Sequence, residues 1–130
     1  MALCEERVYM DADTFEAIVV EALETLPAEF ARYLANVEVR IASRPTREHR
    51  HDVGLKPWQT LYGLYQGVPL INRVGGDPFL PDLITIFQEP LERDFPGHEA
   101  LRAQVRRTVL HEIAHFFGIS DARLRELDAY

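Results

Sequence analysis

The chain has 130 residues, of which 47% are hydrophobic and 27% charged. That is enough for one domain with a real core, and it excludes a disordered or low-complexity protein. A net charge of −7 argues against nonspecific nucleic-acid binding, which rests on neutralising phosphates with Lys and Arg.

The single cysteine, Cys4, excludes an intrachain disulfide and fits a reducing compartment. The segment 1–10 carries Glu5 and Glu6 and shows no signal-peptide pattern, and no run is long and apolar enough to span a membrane. A cytoplasmic location is therefore expected.

The first element is a helix from about Asp13. Asp13 and Glu16 have the spacing of a capping box, and Phe15, Ile18, Val19, Ala22, Leu23 and Leu26 recur at helical intervals up to Pro27. One or two further helical turns over 28–34 bury Phe30 and Leu34. Val37, Val39 and Ile41 alternate with Glu38, Arg40 and Ala42 and predict a strand, ended by Pro45.

Residues 44–59 are polar with little periodicity and read as a long loop. Within it His49 and His51 form His-x-His, which reads as solvated loop rather than as a second metal site. Leu61–Leu70 predicts a second strand, with Gly63 and Gly67 marking bends or close backbone approach. Trp58, Tyr62 and Tyr65 are core aromatics by default, with a substrate groove as the alternative. Residues 72–81, with Gly75-Gly76-Asp77-Pro78, predict a turn region. Leu83–Phe87 predicts a third strand between Pro81 and Pro90. A long helix follows from about Gly97 to Phe117, with His98 at the surface, and a short helix over 122–127 closes the chain.

The long helix has three faces. Leu101, Val105, Val109, Ile113 and Phe116 form an apolar stripe. Arg102, Arg106 and Arg107 cover the opposite side of its first half, and Leu110, Ala114 and Phe117 that side of its second half. The helix is thus expected to start on the surface and end inside. The third face carries Gln104, Thr108, His111, Glu112 and His115, and polar groups so placed need partners, a cavity or a metal.

The sequence from 111 is His-Glu-Ile-Ala-His-Phe-Phe-Gly-Ile-Ser-Asp. On a helix, His111 and His115 lie one turn apart on one face, so that both imidazoles can reach one zinc ion. Glu112 sits beside them, positioned to take a proton from activated water. Gly118 fits a left-handed cap that swings the chain back toward the histidines. Asp121 is then the expected third metal ligand. It also suits the N-cap of the last helix, and Asp128 and Glu126 are rival ligands.

With these residues in hand, the chain resembles the zincin metallopeptidases. The form His111-Glu112-x-x-His115-x-x-Gly118-x-x-Asp121 is similar to the metzincin pattern with Asp in place of the third His. It more closely resembles a bacterial family of zincin-like metallopeptidases of minimal size. Ala22-Leu23, Leu26-Pro27, the run 61–69, Ile84-Thr85-Ile86-Phe87 with Pro90, and Arg107-Thr108-Val109-Leu110 extend the likeness along the chain.

The resemblance implies an α+β fold over residues 1–130: a small mixed sheet of three or four strands packed against the first helix and the active-site helix. It implies one zinc ion per chain, held by His111, His115 and Asp121, with Glu112 as general base and a peptide or protein as substrate. Residues 61–67 are expected to be the edge strand that aligns the peptide, with 83–87 as the second choice. A partner nucleic acid or membrane is not expected, and a monomer is the default.

The resemblance departs at the Met-turn of metzincins: only residues 122–130 follow Asp121, and the methionines are Met1 and Met10. Tyr130 is the aromatic hydroxyl of that tail and a candidate transition-state donor. Two alternatives stay open: a non-catalytic zinc-binding or partner-binding module, and a zinc amidohydrolase with a non-peptide substrate.

Overall fold

The structure, a computed structural model, describes residues 10–54, 60–67 and 81–126. Among these, three strands form one sheet: β1 (Val37–Ala42), β2 (Gly63–Gln66) and β3 (Asp82–Phe87), in the order β1-β3-β2. β3 is central, parallel to β1 and antiparallel to β2. The mixed sheet and its helical cover agree with the expected α+β class. The central place of β3 removes 83–87 as an edge strand and leaves β2 at the edge.

One face of the sheet carries Ile84, Ile86 and Tyr65, and two helices cover it. The first, α1 (Ala12–Glu24), buries Phe15, Ile18, Val19 and Ala22. Its N-cap is Asp11 rather than Asp13: the Asp11 carboxylate accepts the Thr14 N–H at 2.7 Å, which holds its carboxyl below the usual carboxylate range. Beyond it, a 3₁₀ turn (Ala28–Phe30) and a helical turn α2 (Ala31–Leu34) bury Phe30, while Leu34 is half-buried.

The segment expected as a loop after β1 contains a helix, α3 (Arg47–Asp52). Its start is a capping box. The Thr46 hydroxyl accepts the His49 N–H, and the His49 Nδ1 accepts the Thr46 N–H. An imidazole here does the work usually given to Glu or Gln. The His49 ring also lies 5.2 Å from that of Phe87, on the other side of the sheet. His49 is thus a cap and a packing group.

A second helix, α4 (Gln88–Asp94), begins directly at the end of β3, where the sequence pointed to a break. Pro90 falls in its first turn, where no intrahelical N–H is required. Glu92 is only 7% exposed. Its carboxylate accepts the Met10 N–H and the Gln88 side-chain amide, each at 2.8 Å, and Gln88 also donates to the Met10 carbonyl. This buried network ties the chain entering α1 to α4.

The long helix α5 (His98–Phe117) buries Leu101, Val105, Thr108, Val109, Leu110, Ile113 and Ala114. His98 is exposed at its start and contacts Glu21 of α1 at 2.8 Å. The last turn departs from expectation. Phe116 and Phe117 are 49% and 42% exposed, so the helix does not end inside the protein. Both rings instead form an aromatic shelf, with Phe116 stacked on Tyr65 at 4.2 Å and Phe117 tilted against Tyr33 at 4.7 Å. Gly118 ends α5 as expected, in the left-handed conformation (φ 72°), and α6 (Asp121–Glu126) follows.

β2 and α5 run side by side in the same direction. Alternate residues from the start of β2 to the residue just after it meet successive turns of α5: Gly63 faces Thr108, Tyr65 faces Glu112, and Gly67 faces Phe116. A Cβ on Gly63 would lie 2.6 Å from the Thr108 methyl, and one on Gly67 would run into the Phe116 ring. Close backbone approach is therefore the reason for both glycines.

Gly63→Ala is expected to cost about 1–3 kcal/mol through overpacking. Adding Thr108→Ser, which removes the clashing methyl, should recover part of that loss. Thermal or urea unfolding of the two single variants and the double variant measures the coupling. Strict additivity of the two effects would show that the methyl is not the obstacle.

Candidate metal centre and cleft

A cleft of about 360 Å³ lies between the β2 edge and the polar strip of α5. Thr60, Leu61, Tyr62 and Gly63 line one wall; Gln104, Arg107, Thr108, His111 and Glu112 line the other. Four of the five residues of the strip read from the helical wheel thus line the cavity, and the fifth, His115, is exposed beyond this lining. Arg107 is exposed, as expected, and also lines that wall. The spacing from Arg107 to His111, i to i+4, is the sequence signal that both share a face.

Glu112 anchors the site. It is half-buried, and its Oε1 accepts the backbone N–H of Tyr65 at 2.9 Å. That amide belongs to an edge strand and points away from β3, so without the carboxylate it would need another acceptor. Burial raises the Glu112 carboxyl above its ordinary pKa, while the Tyr65 N–H and nearby His115 pull it back. Its Oε2 makes no hydrogen bond to the described residues.

His111 is half-buried on the cleft wall and His115 is exposed one turn further on. Thr108 is buried one turn before; its hydroxyl accepts from the Gln104 side-chain amide at 3.2 Å, and the Gln104 carbonyl accepts from Arg107 at 2.9 Å. Tyr62, at the opposite wall, donates its hydroxyl to Asp94 at 2.6 Å, and Arg93 bonds both Asp94 and the Thr60 hydroxyl. Tyr62 is therefore a cleft residue, and Tyr65 a core one.

A sequence model described as zincin-like metallopeptidase matches residues 34–130. The chain belongs to the zincin-like metallopeptidase family. A solved structure of a conserved hypothetical protein from Thermo thermophilus is similar over 83% of this chain and 94% of its own, with 23% identity and a TM-score of 0.55. At that identity the likeness concerns the fold. No curated protein matches the chain.

Membership of a zincin-like family implies zinc chemistry. The donors fit in kind: two imidazoles one helical turn apart beside a half-buried carboxylate, with His111 and the carboxylate on the cleft wall and His115 exposed. Among the described residues no three His, Cys, Asp or Glu side chains come together as a complete donor group. Asp121 begins α6, but its side chain lies outside the described residues, as do Asp128 and Tyr130. Glu126 is engaged by Arg123 at 2.8 Å. Cys4, Trp58, the turn at 72–80 and residues 68–70 of the expected second strand also lie outside the described residues. No described helix is long and apolar enough to cross a membrane.

Burial and the hydrogen bond to Asp94 push the Tyr62 hydroxyl up to about 12. The neutral phenol is the form the fold favours. Its contribution to stability is complete below the unfolded value near 10 and is lost as pH rises through the folded value. A ¹³Cζ-tyrosine NMR titration should show Tyr62 ionising later than an ordinary tyrosine, and Asp94→Asn should bring it down. An unchanged titration in Asp94→Asn would remove the Asp94 charge as a cause.

Proposed function

We infer that the chain is a zinc-dependent peptidase whose cleft accepts an extended peptide alongside β2. The observation that carries this reading is Glu112, held at one oxygen by the Tyr65 amide and flanked on its own helix by two histidines. His111, His115 and Asp121 would hold one zinc ion. When bound, zinc supplies a Lewis acid that lowers the pKa of water toward neutrality and polarises a carbonyl.

The protein's own groups supply position and proton transfer. The Tyr65 N–H fixes Glu112 through Oε1, so that Oε2 is the oxygen that takes the proton of the attacking water and returns one to the leaving amine. β2 supplies alignment. The Tyr62 carbonyl accepts from Phe87, so even-numbered positions face β3 and odd-numbered ones face outward. The Gly63 N–H and C=O therefore point away from the sheet, toward the side where a peptide strand would add. Thr108 and Gln104 brace the wall one turn before His111.

Glu112→Gln is expected to retain about one zinc per chain, a ratio set by the single HExxH motif, and to lose turnover by roughly 10²–10⁴-fold. His111→Ala should lose the metal. Metal analysis and cleavage of a peptide library read the two effects separately. Undiminished cleavage by Glu112→Gln would end the general-base assignment. Zinc bound by the parent and by Glu112→Gln but lost from His111→Ala, with no cleavage by the parent, would favour a non-catalytic zinc module; cleavage of simple amides alone would favour an amidohydrolase; and zinc unchanged in His111→Ala would end the metal assignment.

A further inference from the structure

We propose that Arg107 reads a substrate carboxylate lying on the C-terminal side of the scissile bond. The proposal rests on the peptidase reading above and names the substrate class for the same cleft. Arg107 lines the cleft one helical turn before His111. Its hydrogen bond among the described residues goes to the Gln104 carbonyl oxygen, at 2.9 Å, and no described carboxylate pairs with it. Other arginines of the chain are engaged with acids: Arg40 with Glu38, Arg44 with Glu89, Arg93 with Asp94, and Arg123 with Glu29.

The Arg107 guanidinium is also oriented. Gln104 holds one of its nitrogens while donating to Thr108, so three side chains form a chain of hydrogen bonds along the wall. A guanidinium carries five N–H donors in a rigid fork, and Gln104 uses one, which leaves the others for a planar acceptor pair such as a carboxylate. The acids nearest the cleft do not compete for it. Glu112 bonds the Tyr65 amide, and Asp94 bonds Tyr62 and Arg93.

The direction follows from the β2–α5 seam. Gly63 faces Thr108 and Tyr65 faces Glu112, so the Arg107 end of α5 lies toward the start of β2. A peptide adding to β2 in the more stable antiparallel sense has its C-terminal part at that end. One helical turn is about 5.4 Å, and a strand advances about 3.3 Å per residue. The carboxylate therefore belongs to the first or second residue after the scissile bond, either as an acidic side chain or as a free C-terminus.

The test uses zinc-loaded Glu112→Gln protein and fluorescence anisotropy of labelled alanine-based hexapeptides. One series carries a single Glu, or Gln, at successive positions; the other has a free or amidated C-terminus. The expected result is roughly tenfold tighter binding of one carboxylate-bearing peptide over its neutral partner, weakened by salt. Adding Arg107→Gln should erase that preference and Arg107→Lys should keep part of it, with unchanged circular dichroism in both. The two series distinguish a side-chain carboxylate from a terminal one. Peptides that bind without carboxylate preference, or with a preference that survives Arg107→Gln, overturn the proposal alone. Zinc-loaded protein that binds none of the peptides overturns the peptidase reading and the proposal with it.

Discussion

The hydrogen bond from the Tyr65 amide to Glu112 is the constraint on which the site depends. It solves two problems at once. An edge strand presents N–H groups that the sheet does not use, and a half-buried carboxylate needs donors to remain charged. Each group is the other's partner. The bond also fixes the sliding register of β2 against α5, because Thr108 and Phe116, four residues either side of Glu112, then meet positions 63 and 67. Glycine at both positions lets the helix come close enough for the bond to form. The Tyr65 ring, stacked on Phe116 and hydrogen-bonded to Asp82 at 2.7 Å, closes the arrangement from the other side.

α5 serves as core and site together. Leu101, Val105, Val109 and Ile113 fasten it to α1 and the sheet, and Gln104, Thr108, His111 and Glu112 face the cleft. The chemistry-bearing side chains therefore sit on a rigid element whose position is set by close packing rather than by a loop. The consequence is coupling between stability and geometry. Thr108 touches the backbone at Gly63 through its methyl and the cleft network through its hydroxyl, so a change there alters both. Effects of nearby substitutions in this seam should not be additive.

Much of this is legible in the sequence where periodicity is strong. The polar strip of α5, the left-handed turn at Gly118, the strands at 37–42 and 82–87, and the close approach at Gly63 and Gly67 all follow from spacing and residue type. The misses have physical causes. α3 is short and highly charged, and its capping box uses His49 in a place where Glu or Gln is the usual sign. α4 has a proline two residues into the helix, which reads as a break unless first-turn tolerance is considered. The end of α5 reads as buried because Phe116 and Phe117 have core composition; their burial depends on which rings come to meet them, which pairing across the fold decides. Arg107 is exposed, as its charge suggests, and its place on the cleft wall follows only from its i, i+4 relation to His111. The ligand role of Asp121 still rests on the sequence pattern.

The charge distribution sharpens what the cleft can select. The chain carries a net charge of −7, so at long range it does not attract acidic molecules. Preference for a carboxylate must therefore arise at contact distance, within the roughly 8 Å over which charges act at physiological ionic strength. The cleft meets that requirement on one side only. Arg107 stands at the wall with its guanidinium braced by Gln104, whereas the carboxylates nearby are each held by a donor: Glu112 by the Tyr65 amide, Asp94 by Tyr62 and Arg93. An anion entering the cleft thus meets an oriented cation about one helical turn from the histidine that begins the metal motif.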